Sequence, residues 1–178
     1  MSSVVLMRAV NVGGHQTFQP SLLARGLAHL GVINVGAAGS FVVPGKMAQG
    51  TIRAEFAQRL PFTAELMVCR GRDVLALAAS EPFPDSKDLG RFVSVLSRRP
   101  GKLPPLPICQ PTGERWEVKV IGVSGVFALS LWRRLGKSFV DPNGVVEKGL
   151  GLRATTRNWN TIVKIVEVLK GSRGPMSS

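Results

Sequence analysis

The chain has 178 residues, 44% of them hydrophobic, and a formal net charge of +12. That length suffices for one domain or two small ones with a real core, and the composition excludes a disordered or fibrous protein. No apolar run approaches the roughly eighteen residues that a membrane-spanning helix needs, so no membrane partner is expected.

The charge is unevenly spread. Residues 1–97 hold nine Lys+Arg against six Asp+Glu, a net +3, and residues 98–178 hold fourteen against five, a net +9. Such asymmetry points to an anionic partner for the second half, with plain solubility or an arginine-rich composition as the bland alternative. The start, Met1-Ser2-Ser3-Val4, runs into an apolar strand with no basic segment or cleavage site, so no secretory signal is expected. Cys69 and Cys109 are the only cysteines, and a separation of forty positions is neither a disulfide framework nor a metal spacing. A reduced, cytoplasmic protein is the simplest expectation, with pairing of the two thiols left open.

Val4–Val10 is rich in β-branched and apolar residues and predicts a buried strand, ended by Gly13-Gly14. Pro20 opens a helix at its first turn, where the missing N–H does no harm, with Leu22, Leu23, Leu27 and Leu30 on one face and Gly31 past the end. Two short strands follow near Ile33–Ala37 and Ser40–Val43, with Gly39 between them. Ala48–Leu60 predicts a second helix stopped by Pro61, Glu65–Cys69 a further strand, and Asp73–Ala79 a third helix. The order through Cys69 is β-α-β-β-α-β, the ferredoxin-like pattern in which two helices cover one face of a four-stranded antiparallel sheet.

Arg91–Leu96 predicts another strand. Residues 98–113, with five prolines and two glycines, predict a loop or extended linker. Trp116–Ile121 alternates apolar and charged residues and predicts a half-exposed strand, with Val126–Trp132 as its hairpin partner. Asp141-Pro142 starts a short helix ending near Gly149, and Arg157–Leu169 predicts the final helix, with Trp159, Ile162, Val163, Val166 and Leu169 on one face.

Three blocks carry a resemblance: Met7-Arg-Ala-Val-Asn-Val-Gly-Gly14, Leu27 to Val43, and Gly149 to Ile165 with its Ala-Thr-Thr-Arg-Asn-Trp-Asn-Thr run. On these the chain resembles the bacterial family known as "domain of unknown function 1697", the last block nearly residue for residue. Departures are Ala9 where the family has Gly, Ala38 and Ser40 in place of a hydroxyl and an amide, and the proline-rich 98–113 where the family has a helix. The resemblance implies an α+β fold with a ferredoxin-like half and a smaller C-terminal α+β half, and it implies no chemistry. The expected architecture is therefore an α+β two-layer sandwich. Residues 1–80 form the ferredoxin-like half, 81–172 the C-terminal α+β half, and 173–178 a flexible tail.

The best candidate site is the stretch before the final apolar run. Thr155 or Thr156 is placed to cap the helix, with Arg157, Asn158 and Asn160 in its first turn. A helix mouth presents unpaired N–H groups and a partial positive charge, so it suits a phosphate or carboxylate. Arg8, inside an apolar strand, needs a carboxylate partner or a cleft, and Asn11 opens a Gly-rich strand-to-helix loop. The competing reading is structural, with Trp159 in the core and the polar side chains tying the halves together. His15 has no nucleophile or orienting carboxylate at motif spacing, and no set of ligands suggests a metal or a cofactor. Two functions follow. The first is a non-enzymatic protein that binds an anion or nucleic-acid phosphate without reading sequence, through Arg98, Arg99, Lys102, Arg133, Arg134 and Lys137. The alternative is an enzyme or binding protein for a small anionic metabolite held in a cleft between the halves. A homodimer through a sheet edge is left open.

Overall fold

The structure, a computed structural model, describes residues 1–8 and 19–172. It separates into two compact units, one formed by Met1–Ala79 with the C-terminal helix from Thr161, the other by Ser80–Asn160. The last helix, expected with residues 81–172, thus belongs to the first unit. The expected tail, 173–178, lies outside the described residues.

In the first unit, strand β1 (Ser3–Arg8) is followed by helix α1 (Pro20–Gly26), β2 (Ile33–Asn34), β3 (Ser40–Val43), α2 (Gln49–Arg59), β4 (Glu65–Arg70) and α3 (Gly71–Ala79). The sheet order is β2-β3-β1-β4 with antiparallel pairings, which is the ferredoxin-like arrangement. β1 is inside the sheet, with Val5 opposite both Phe41 and Val68. One face packs Val5, Met7, Phe41, Val43 and Leu66 against Leu23, Leu27, Ile52 and Phe56, and the Phe41 and Phe56 rings meet edge to face at 5.3 Å. The other face, Val4, Leu6, Val42, Met67 and Cys69, is buried too. Burial on both sides is why β1 reads as an unbroken apolar run and not as an alternating one.

Two local expectations need correction. Leu22, assigned to the apolar face of α1, is 53% exposed, because it stands about 100° round the helix from its neighbour Leu23, which is the buried residue of α1. The strand expected over Ile33–Ala37 is only Ile33–Asn34. Gly36 and Gly39, at φ 77° and 82°, turn the chain there, a conformation glycine adopts without steric penalty.

β4 lies at the edge of its sheet, where unpaired carbonyls invite foreign strands. Side chains one helical turn apart on α2 answer two of them. Gln49 Nε2 donates to the Val68 carbonyl at 3.3 Å and Arg53 Nη1 donates to the Leu66 carbonyl. The match is geometric, since four residues of helix rise about 6 Å and two residues of strand about 6.6 Å.

The second unit contains β5 (Gly90–Leu96), β6 (Ile108–Gln110), β7 (Val118–Ser124), β8 (Phe127–Trp132), helix α4 (Pro142–Leu150) and β9 (Ala154–Asn158), and the chain continues into α5 (Trp159–Gly171). Five strands pair antiparallel in the order β6-β7-β8-β5-β9. Asp141 caps α4 as the sequence predicts, accepting from Asn143 N and Gly144 N at 3.1 Å each. Val146 of α4 then packs on Leu96, Val120, Ala128, Leu152 and Ala154. β6 falls inside the segment expected to be a loop. Its three residues sit between Pro107 and Pro111, which only an edge strand tolerates.

Both cysteines are free. Cys69 is buried in the first unit, and burial, with a smaller push from the Asp73 carboxylate, drives its thiol up to about 12. A thiol whose folded value is raised favours the folded state until pH passes its unfolded value of 9.0, and that contribution is lost between there and about 12. Native protein at pH 8 is expected to show one thiol, Cys109, reacting with a chromogenic disulfide reagent, and a second only in denaturant. Two rapidly reacting native thiols would contradict the burial of Cys69.

Gly71 begins α3 where the C-terminal helix meets β1. A Cβ there would lie 2.8 Å from Leu169 Cδ2 and 2.9 Å from the Ser2 carbonyl oxygen, and Gly71 N already donates to that oxygen at 2.8 Å. Gly71→Ala is expected to destabilise the protein by about 1–3 kcal/mol. Gly50→Ala, at an α2 position with open space around it, should stabilise by about 0.4–1 kcal/mol. Urea unfolding checks both, and equal effects would show that Gly71 is not packed as described.

Candidate functional site

The stretch expected to open the last helix is a strand. β9 continues through Asn158, and α5 begins at Trp159, two residues beyond the predicted Arg157. The reason is the open edge of β5. In the ladder Thr155 lies opposite Val95, Thr156 opposite Ser94, Arg157 opposite Val93 and Asn158 opposite Phe92, and β-branched threonines suit such a ladder better than a helix start.

The alternation of the strand divides the polar groups between two faces. On the α4 face, Thr156 Oγ1 donates to Asn143 Oδ1 at 2.8 Å. A hydroxyl has one hydrogen, so in the 2.5 Å contact between Thr156 and Ser94 it is Ser94 that donates. The row Ser94–Thr156–Asn143 thereby ties β5, β9 and the first turn of α4 together. On the opposite face, Arg157 Nη1 donates to Thr155 Oγ1 and to the Thr156 carbonyl, both at 2.9 Å. Arg157 is 8% exposed, and burial pushes its guanidinium down to about 10, so it stays charged at neutral pH.

Arg8 sits at the end of β1 in the first unit, opposite Glu65 in register and with Nη1 3.7 Å from its Oε2. It therefore has the carboxylate partner the sequence calls for. Asn11, with His15, lies outside the described residues. Asn158 and Asn160 are exposed. Of the predicted set, then, Thr155 and Arg157 are brought together, Thr156 is joined to Ser94 and Asn143, and the helix-mouth geometry is replaced by strand geometry.

The exposed charge lies elsewhere. The end of β8 leads into the loop Arg133–Val140, beside the β6–β7 turn. Arg133 Nε donates to the Trp116 carbonyl at 2.7 Å and its Nη2 to the Glu114 carbonyl. Its guanidinium carbon stands 4.0 Å from the centre of the Trp116 ring, and Lys119 Nζ stands 4.9 Å from it. Glu117, buried, holds the loop by accepting from Leu135 N at 3.4 Å. Phe139 leans on Trp132 with ring centres 5.8 Å apart. Arg115, Lys119, Arg133, Arg134 and Lys137 thus belong to one end of the sheet, and among the described residues none forms an ion pair with a carboxylate.

Arg98 and Arg99 follow the other end of β5, whose seven residues separate the two ends by roughly 20 Å. Lys102 lies in the loop beyond. The six cations proposed from sequence as one contact set accordingly divide into two groups. Arg115, Trp116 and Lys119 carry no binding signal in the sequence, although the alternation over Trp116–Ile121 marks a half-exposed strand. Their juxtaposition with Arg133 depends on a hairpin register that residue order does not reveal. A separate recess of about 460 Å³ in the first unit is walled by Leu60, Pro61, Phe62 and Leu66 with Arg53 at its rim, and Arg53 is engaged with the Leu66 carbonyl.

The comparisons with known proteins agree with this fold. A family model described as "Protein of unknown function (DUF1697)" matches residues 1–120, and the chain belongs to that family. A solved structure, the conserved bacterial protein SP0830 from Streptococcus pneumoniae, is similar over 94% of this chain and 98% of its own, with 19% identity and a TM-score of 0.55. No curated protein matches. Among the described residues no helix is long and apolar enough to cross a membrane, and no three His, Cys, Asp or Glu residues group as metal ligands.

The hydroxyl row gives a test of what β9 contributes. Thr156→Val leaves the Ser94 hydroxyl without its acceptor and Asn143 Oδ1 without its donor, and should cost about 1–3 kcal/mol. Thr156→Ser keeps both bonds and should cost less, and adding Ser94→Ala to Thr156→Val should recover part of the loss. Urea titration of the set would refute the row if valine and serine were equivalent.

Proposed function

We propose that this protein binds polyanions, nucleic-acid phosphate in particular, through the end of the second unit that carries Arg115, Lys119, Arg133, Arg134 and Lys137, without chemical turnover. The observation that carries this reading is the group of five cations with no carboxylate partner among the described residues. Cations already neutralised by a neighbour gain little from a phosphate, whereas solvated ones release the phosphate's counterions on contact. Arg133 supports the reading in a second way. Carbonyl bonds and the Trp116 ring hold its guanidinium in place, so less side-chain freedom is lost on binding. Arg157 has the opposite character: its charge is buried and bonded within β9.

Affinity for a generic oligonucleotide, followed across roughly 50–200 mM salt, should fall linearly on logarithmic axes. Arg134→Gln and Lys137→Gln should each reduce that slope by about one, while Arg98→Gln and Arg99→Gln at the far end should leave it nearly unchanged. No salt-dependent signal at low ionic strength would end the proposal.

A further inference from the structure

The loop Arg133–Val140 carries more than charge. Phe139 is 66% exposed and Leu135 is 45% exposed, in a chain segment whose other side chains include Arg133, Arg134 and Lys137. Leaving an aromatic ring in water forfeits the gain from burying it, and here the ring is also held in position. The loop is fixed by Arg133 on Trp116, by Leu135 N on Glu117, and beyond its end by the Asp141 cap of α4. Phe139 rests against Trp132 between those anchors.

From this we infer that the surface prefers single-stranded nucleic acid, with Phe139 as a stacking platform for an unpaired base. This rests on the polyanion reading above and narrows its ligand. A duplex offers its phosphates to the cations but keeps its base faces stacked on one another. A single strand offers both a phosphate for Arg134 or Lys137 and a free π-face for Phe139, and base–aromatic stacking of this kind is indifferent to sequence. An anionic membrane surface would also attract the cations. Interfacial binding, however, scales with buried apolar area, and two exposed apolar side chains on one loop provide little of it.

The test compares four probes with the intact protein by fluorescence anisotropy or sedimentation. They are a single strand of about twelve nucleotides, the same strand with abasic sites throughout, the corresponding duplex, and phosphatidylserine–phosphatidylcholine vesicles. The single strand should bind about tenfold more tightly than the abasic strand, the fold-change expected from one stacked base. Phe139→Ala should remove that difference while leaving abasic-strand affinity unchanged, and Phe139→Trp should preserve it. Because the ring also touches Trp132, the tryptophan variant keeps the test decisive if the alanine variant unfolds. Equal affinity for intact and abasic strands, or an equal loss on both from Phe139→Ala, overturns the stacking role and leaves the polyanion reading standing. Preference for vesicles over every strand assigns the loop to a membrane and overturns the inference. Failure of all four probes to bind overturns the polyanion reading itself.

Discussion

One edge decides how the C-terminal third of this chain is organised. β8 covers only one side of β5, and the other side has to be paired or left exposed as a row of N–H and C=O groups. Ala154–Asn158 supplies that pairing. Once these residues are in the ladder, their side chains alternate between faces, Thr156 is directed to α4, and Arg157 is sealed on the reverse face. The start of α5 follows as well, because a residue cannot be in the ladder and in the first helical turn at once.

That constraint separates two kinds of cation. Burying a guanidinium removes hydration that must be replaced by hydrogen bonds, and Arg157 finds replacements in the Thr155 hydroxyl and the Thr156 carbonyl. Such a group is a structural element: its Nη1 is bonded within β9 and its depressed pKa reflects a charge held at some energetic disadvantage. Arg134 and Lys137 lie in the opposite regime, exposed and bonded only to carbonyl oxygens of their own loop where bonded at all. A partner anion can add to these without displacing a carboxylate. The overall +12 therefore says less than the list of cations that remain available.

Much of the first unit was legible because its signals are local. The alternation of short apolar runs with helical spacings, punctuated by Pro20 and Pro61, leads to the ferredoxin-like order that the sheet displays. The last helix was misjudged at its start because Thr155-Thr156 fits two rules equally well, a helix cap and a β-branched strand pair. Residue order alone cannot tell which neighbour will claim the hydroxyls, since Ser94 is 62 residues away. β6 was hidden by its flanking prolines, which signal a loop unless the strand is known to lie at an edge. The Arg8–Glu65 and Trp116–Arg133 contacts were illegible for the same reason, because each depends on strand register and not on spacing.

The matched family residues end at 120, whereas the loop Arg133–Val140 lies beyond them. Likeness to SP0830 at 19% identity extends over nearly the whole chain but shows the fold alone. A shared scaffold does not transmit a shared site, because sites depend on the particular side chains grafted onto it. The loop must therefore be judged by its own physics. It leaves one strand and enters one helix, both hydrogen-bonded into the second unit, and it is pinned by Glu117 and Trp132 between them. A segment so restrained loses less conformational entropy on binding than a free one, so each cation–phosphate contact of the proposed kind would be offset by a smaller ordering term. On the proposed reading, two exposed cations and one aromatic ring on a restrained loop would bind more tightly than the same residues on a flexible tail.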